Sequence, residues 1–386
     1  MESMDDAALD KLADSIHHAG RQLALVITGG GTKSIGWLLR VPGGSRSLLE
    51  AVVPYSSAAL TNYLGAQPEQ YCSEATSRVM AMAAFERARR LAPESAELLV
   101  GISCTASLMS DRPKRGAHRA HVAWQTSALT ASASVELVKG ARTRKEEERL
   151  VAELVLCAAA EGVGAPAPWG RLDLVERERI ERRACPAPEE WQALLLGTRQ
   201  TAREHDERQR SGLVVFPGAF HPRHAGHRQM AEVAARLTGQ AAQHEISIAN
   251  VDKPTLDFLE MEARQAQFGA GEPVWFTRAP RFIDKAKVFP GATFVVGADT
   301  IERIAALRYY DGDAAARDAA IAELAAAGAR FLVFGRAVEG RFQGLADMSL
   351  PPALESLCQE VPAEMFRQDI SSTELRRRSA DESDRN

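Results

Sequence analysis

The chain has 386 residues, 45% hydrophobic and 25% charged, which suits two folded domains and excludes a disordered polymer. A net charge of −4 excludes whole-molecule attraction to nucleic acid or anionic lipid, so any phosphate binding must be local. No apolar run reaches membrane-spanning length and the opening MESMDDAALDKL is too acidic for a secretory signal. Five scattered cysteines (Cys72, Cys104, Cys157, Cys185, Cys358) without CxxC spacing suit reduced thiols, and a cytoplasmic protein is expected.

In chain order, LALVI at 23–27, AVVPYS at 51–56 and LLVGIS at 98–103 read as short buried strands. SEATSRVMAMAAFERARRL sets apolar residues at helical spacing and basic ones in its last turns, which suits a helix end. RTRKEEERLVAELVLCAAA predicts a second long helix, acidic toward its start. The Gly- and Pro-rich EGVGAPAPWG at 161–170 marks a boundary. The charged runs after it, RLDLVERERIERR and REHDERQRSG, read as solvated helix faces in a connecting region over 163–212.

From residue 213 the pattern sharpens. LVVFP, HEISIA, PVWFT, TFVVG and RFLVFG are strand candidates alternating with helical stretches such as HRQMAEVAARL and DAAIAELAAAG. The alternation indicates an α/β fold in two domains. The C-terminal one, 213–380, is expected to be a Rossmann-like parallel sheet with helices on both faces, its ligands bound at the carboxyl ends of strands. Residues 1–162 form the other domain, and 381–386 a flexible tail.

The first strand of the C-terminal half runs into Pro217 and Gly218, and a helix starts near His224 or Ala225. Gly218 lets the backbone turn closely, and Gly226 keeps side-chain bulk away from an approaching ligand. A helix start offers unpaired N–H groups and the positive end of the dipole to an anion. His224 and His227, three apart, share a helix face and suit the charge that builds up on a phosphorus centre under attack. Far downstream, Ser371, Ser372 and Thr373 offer hydroxyls and amides at another helix start, with Glu374 and Arg376 in its first turn.

GAFHPRHAGH together with ISSTELR resembles the HxGH nucleotidylyltransferase superfamily over about residues 213–378, in order, spacing and strand context. The resemblance implies that a nucleoside triphosphate, ATP rather than CTP from the ISST form, binds across both motifs with Mg²⁺ carried by the triphosphate and no protein metal site. A phosphorylated small-molecule acceptor then attacks the α-phosphorus and pyrophosphate leaves. Nicotinate or nicotinamide mononucleotide is the acceptor suggested. The resemblance further implies that His224 and His227 stabilise the transition state, and that the backbone of Gly218, Ala219 and Phe220 lines the nucleotide. Ser371, Ser372, Thr373 and Arg376 would hold the β- and γ-phosphates, while Gly297, Asp299 and Arg336 help form the site and Lys253 meets an acceptor phosphate. Asp299 reads equally as the cap of the next helix.

The first half is similar to the C-terminal domain of the CinA family, whose active members deamidate nicotinamide mononucleotide. The likeness runs over about residues 8–162 through LLRVPGGSRSLLEAVVPYSSAALTNYLGA, EATSRVMAMAA, LLVGISCTAS and GAHRAHVAWQT. Of the family's serine, tyrosine and lysine only Tyr55 is present. Thr28 falls at the serine position (Val26 in a shifted register) and Leu60 at the lysine position, which removes the basic partner a nucleophile needs. TGGGTKS retains the backbone amides to wrap an anion. Ligand binding, an assembly role and a plain scaffold all stay open for this half.

The leading expectation is therefore an adenylyltransferase acting from ATP on a phosphorylated acceptor, without nucleic-acid or membrane partners and with homo-oligomerisation left open. The alternatives are a nucleotide-binding sensor or assembly protein without turnover, or an amidohydrolase acting through the first half.

Overall fold

The computed structural model describes residues 4–111, 115–203, 210–250, 253–269, 271–272, 274–338 and 341–366. Contacts divide the chain into two units: Met1–Leu196 with Asn250–Glu262, and Gly197–Ala249 with Ala263–Asn386. Both are α/β.

The first unit opens with α1 (Asp6–His17), capped by the Asp5 carboxylate, which accepts from the Ala8 N–H at 2.8 Å. The apolar run behind it is β1 (Gln22–Thr28), followed by α2 (Lys33–Arg40), the single turn α3 (Gly44–Ser47), β2 (Leu48–Val52) and α4 (Ser57–Leu64). Then come α5 (Glu74–Leu91), β3 (Leu99–Ser107), β4 (His118–Gln125), β5 (Leu129–Leu137), α6 (Arg144–Val163), β6 (Ile180–Pro186) and α7 (Glu189–Leu196). The strands lie in the order β2-β1-β3-β4-β5-β6, with β1 parallel to both neighbours and the later pairs antiparallel. The two long helices start where the sequence supplies caps: Ser73 accepts from Thr76 N–H at 3.1 Å, and Thr143 forms a capping box with Glu146.

Gly101, in the centre of β3, explains how closely α5 lies on the sheet. A Cβ there would stand 2.1 Å from the Ala81 carbonyl oxygen and 2.3 Å from the Phe85 nitrogen, both in the backbone of α5. On the opposite face Val100 and Ile102 meet Gly162 of α6, so β3 is buried from both sides.

The stretch 163–212, expected as a connecting region with helical charged faces, divides differently. IERRACP is β6, an edge strand that pairs with β5 and exposes Glu181, Arg182, Arg183 and Ala184. An edge strand has one neighbour, and charges on it deter pairing with another chain; that erases the apolar alternation by which a strand is recognised. Farther on, α7 belongs to the first unit, and Thr201–Ala202 joins the second sheet.

The second unit contains β7 (Thr201–Ala202), β8 (Val214–Pro217), α8 (Ala225–Thr238) and β9 (Gln243–Ser247). After α9 (Phe258–Gln265), whose first turns count with the first unit, it continues as β10 (Val274–Thr277), α10 (Phe282–Val288), β11 (Thr293–Gly297), α11 (Ala298–Ala305) and α12 (Ala314–Ala326). It ends with β12 (Arg330–Phe334), the hairpin β13 (Arg336–Val338) and β14 (Arg341–Gln343), α13 (Pro352–Glu355) and β15 (Cys358–Glu360). The sheet order is β15-β12-β11-β8-β9-β10-β7, parallel throughout except for β7. From β8 the chain steps outward to β9 and β10, then returns to the other side of β8 as β11 and continues to β12. That reversal makes the carboxyl ends of β8 and β11 the switch point of the sheet, the place where ligands bind in such folds. Phe282, Phe294 and Phe331 pack edge-to-face and tilted in its core, and the buried Glu245 and Lys285 pair at 2.7 Å.

The connection after β9 departs from the simple division at residue 213. Its segment Asn250–Glu262 packs within the first unit. Arg78 of α5 clamps Asp257 with one guanidinium nitrogen 2.6 and 2.7 Å from the two carboxylate oxygens, both side chains buried. The Phe258 N–H donates to Thr130 Oγ1 at 2.9 Å, and its ring stacks on Trp191. Removing one partner of a buried ion pair leaves the other charge uncompensated. Asp257→Ala is expected to destabilise the first unit by about 3 kcal/mol, near the low end for such pairs because Glu74 and Glu260 also face Arg78. Gly101→Ala should cost at least about 3 kcal/mol through overpacking against α5. Urea midpoints followed by circular dichroism check both.

Candidate functional site

The HxGH turn begins where β8 ends. Gly218 N–H donates to the Glu245 carbonyl at 3.0 Å, carrying the β8–β9 pairing one residue past the strand. The chain then enters Phe220, whose φ of 46° is left-handed, a conformation costing a non-glycine residue about 1–2 kcal/mol. Burial of the ring offsets that cost. It lies edge-on to Phe216, His227, His244 and Phe268, with centroids 5.0–5.4 Å away. Gly218 is needed here for an internal reason, because a Cβ would stand 2.8 Å from the Phe220 ring. The carbonyls of Ala219 and Phe220, whose backbone is expected to line a nucleotide, accept from Arg264 at 3.0 Å and Gln267 at 2.9 Å.

Arg223 fastens the turn from the other side. Its N–H donates to Gln267 Oε1 at 2.7 Å, its guanidinium takes Glu272 with two bonds of 2.5 and 2.9 Å, and its plane lies 4.5 Å from the Phe268 ring centroid. Six residues that motif reading passed over thus hold the turn in place: Arg223, His244, Arg264, Gln267, Phe268 and Glu272.

His224 is the N-cap of α8, and Gly226 is buried in its first turn. The His224 and His227 rings stack at 3.8 Å with 26° between planes. His224 N–H donates to His227 Nδ1 at 3.2 Å. A neutral imidazole whose Nδ1 accepts must carry its proton on Nε2, so His227 presents an N–H donor. Burial, then the neighbouring His224, Arg223 and His244, push the His227 pKa down to about 3. Burial, then Arg223, pushes His244 to about 4, and burial with Arg228 lowers His224. All three are neutral at physiological pH. Three buried atoms of this cluster, Arg223 Nε, His224 Nδ1 and His244 Nε2, have no hydrogen-bond partner among the described residues. Buried polar atoms are ordinarily paired, so such a group of orphans at a strand end suits a ligand that completes it.

At the end of the neighbouring strand β11, Gly297 is the N-cap of α11, and its φ of −81° is ordinary. Asp299 sits inside the first turn and pairs with Arg303 at 3.3 Å; it stabilises the helix start by charge and is not the cap. Arg336, exposed, opens the hairpin beyond β12. Gly218, Gly297 and Arg336 therefore follow three adjacent strands of one sheet at their carboxyl ends. Lys253 is exposed on the 250–262 segment, which counts with the first unit. Ser371, Ser372, Thr373 and Arg376 lie outside the described residues.

In the first unit Thr28 is buried at the end of β1, Tyr55 is 74% exposed and Leu60 is a core residue of α4. The glycine turn after Thr28, expected to be able to wrap an anion, wraps a side chain of the same unit. Glu148 of α6 accepts from Gly31 N–H at 3.0 Å, Lys33 N–H at 3.2 Å and Thr32 Oγ1 at 3.1 Å. All five cysteines are free thiols. Among the described residues no three His, Cys, Asp or Glu side chains are grouped to hold a metal ion, and no helix is long and apolar enough to cross a membrane.

No protein-family model matches the chain, and no curated protein does. Solved structures that resemble part of it are of the competence-damaged (CinA) superfamily. The protein from Escherichia coli is 17% identical, with 40% of this chain and 88% of that one covered and a TM-score of 0.33. That from Klebsiella pneumoniae is 14% identical over 42% and 98%, TM-score 0.35. The competence/damage inducible protein from Agrobacterium tumefaciens is 18% identical over 40% and 94%, TM-score 0.31.

The depressed histidines make stability depend on pH in a definite direction. The unfolded chain takes up protons near pH 6.5 while folded His227 and His244 resist them down to about 3 and 4. Their contribution is complete above pH 6.5 and declines as pH falls toward those values. Thermal melts of the second unit's transition should drop progressively across this window, and His244→Phe should flatten the slope.

Proposed function

We propose that the second unit is a nucleotidylyltransferase that joins a nucleoside monophosphate group from a triphosphate, ATP by the motif resemblance, to the phosphate of a small acceptor. The observation that carries this reading is the pair of stacked, neutral histidines at the start of α8, beside three unpartnered polar atoms, at the carboxyl end of the strand where the sheet order reverses. An acceptor phosphate oxygen forms a bond to the α-phosphorus, the bond to the β-phosphate bridging oxygen breaks, and pyrophosphate departs with that electron pair. His227 Nε2–H and the amides at the start of α8 donate to the phosphate oxygens as charge accumulates on them. Arg223, Gln267 and Phe220 keep these donors in place before the substrate arrives, which is where such catalysis gets most of its effect.

Magnesium supplies charge neutralisation when it arrives with the triphosphate. Asp299 and Glu272 are each held by an arginine, and among the described residues no three His, Cys, Asp or Glu side chains are grouped to hold a metal ion. Nicotinate or nicotinamide mononucleotide remains the acceptor suggested by the motif resemblance. No observation favours hydrolysis in the first unit, where a core leucine stands at the position of the family's lysine.

Pyrophosphate release should require a triphosphate and an acceptor together. His227→Ala should cut kcat about 10²–10³-fold, the usual loss for one transition-state donor, with unchanged far-UV circular dichroism. A full rate in that variant would overturn the assignment. A screen of four triphosphates against phosphorylated acceptors, nicotinate mononucleotide included, identifies the substrates.

A further inference from the structure

Nucleotidyl transfer leaves the glycine turn of the first unit without a role. Its hydrogen bonds converge on one carboxylate. Glu148 Oε2 accepts from Gly31 N–H and from Arg144 Nη1 at 3.2 Å; Oε1 accepts from Lys33 N–H and Thr32 Oγ1. Arg144 also donates to the Gly29 carbonyl at 3.3 Å, so the guanidinium ties the carboxylate to the turn. The glycines are explained by the same approach. A Cβ on Gly30 would meet Leu108 at 2.6 Å and Glu148 Oε2 at 3.2 Å, and one on Gly31 would meet Val151 and Val155 of α6 at 3.1 Å.

We propose that Glu148 is a built-in occupant of this turn and holds the first unit closed to phosphate and other small anions. A carboxylate fixed on the adjacent helix acts at an effective concentration of millimolar or above, and a free anion must displace it while meeting its negative charge. The turn that reads in sequence as a phosphate cradle is thus satisfied from within. This assignment is independent of the activity of the second unit.

The test titrates orthophosphate into the full-length protein at pH 7 and follows the amide resonances of Gly31 and Lys33, which report this turn and not the HxGH turn. The wild type should show no saturable shift at either amide. Glu148→Ala, which frees both amides, the Thr32 hydroxyl and Arg144, should show saturable shifts with affinity raised at least about tenfold. Glu148→Gln keeps the side-chain volume in α6 and should shift in the same direction by less. Saturable binding at Gly31 and Lys33 in the wild type overturns the proposal, whether or not the variants fold. So does a folded Glu148→Ala that leaves both resonances unmoved.

Discussion

Burial of one phenylalanine ring sets the geometry of the HxGH turn. Phe220 sits in a left-handed conformation and is fixed there by Phe216, His227, His244 and Phe268 around its ring. From that position follow the glycine at 218, the direction in which the chain enters α8, and the stacking of His224 on His227. The aromatic surround also keeps the histidines neutral. Charging an imidazole there would mean placing a cation among apolar rings and beside Arg223. Packing and electrostatics therefore favour the same arrangement of the two rings.

The two glycine turns differ in how the polar groups around them are met. In the first unit, a turn rich in amides is satisfied by a glutamate of its own fold. In the second, three buried side-chain atoms at a strand end have no hydrogen-bond partner among the described residues, as is also true of Arg119 Nε, His121 Nε2 and Trp124 Nε1 on β4 of the first unit. Buried orphans cost stability, and each calls for a physical reason such as strain, a catalytic role, an ordered water or a ligand. Both are glycine-containing loops between a strand and a helix, yet one is filled by a carboxylate of its own fold and the other is braced by Arg223, Arg264 and Gln267.

Much of this was legible in the sequence where physics leaves a local signature. β8, β10, β11 and β12 are largely apolar runs bounded by turn residues, and α5 and α6 begin at Ser73 and Thr143, the caps their sequences supply. β6 was hidden because an edge strand carries its charges outward. His244 gives no signal of its own, since a single histidine between Gln243 and Glu245 is recognised only by what lies beside it in the next strand. Glu148 is harder still, standing in the run RKEEER. Three consecutive glutamates take three separate partners: Glu146 caps the helix at Thr143, Glu147 meets His118 and the Met109 N–H, and Glu148 fills the glycine turn. Helical phase and long-range packing decide among them, and neither is written in the local pattern. Composition likewise does not reveal that the connection after β9 belongs to the first unit.

That connection has a practical bearing on dissecting the protein. The main chain passes from one unit to the other at three places, after Leu196, Ala249 and Glu262. Cutting it once therefore releases neither half intact. A fragment ending at Leu196 would keep Arg78 without Asp257, and one beginning at Gly197 would carry Phe258 without Trp191 to cover it. Recombinant halves made by a single truncation would each inherit a wound in their packing, so loss of solubility or activity in such pieces reports the excision and not the autonomy of either unit.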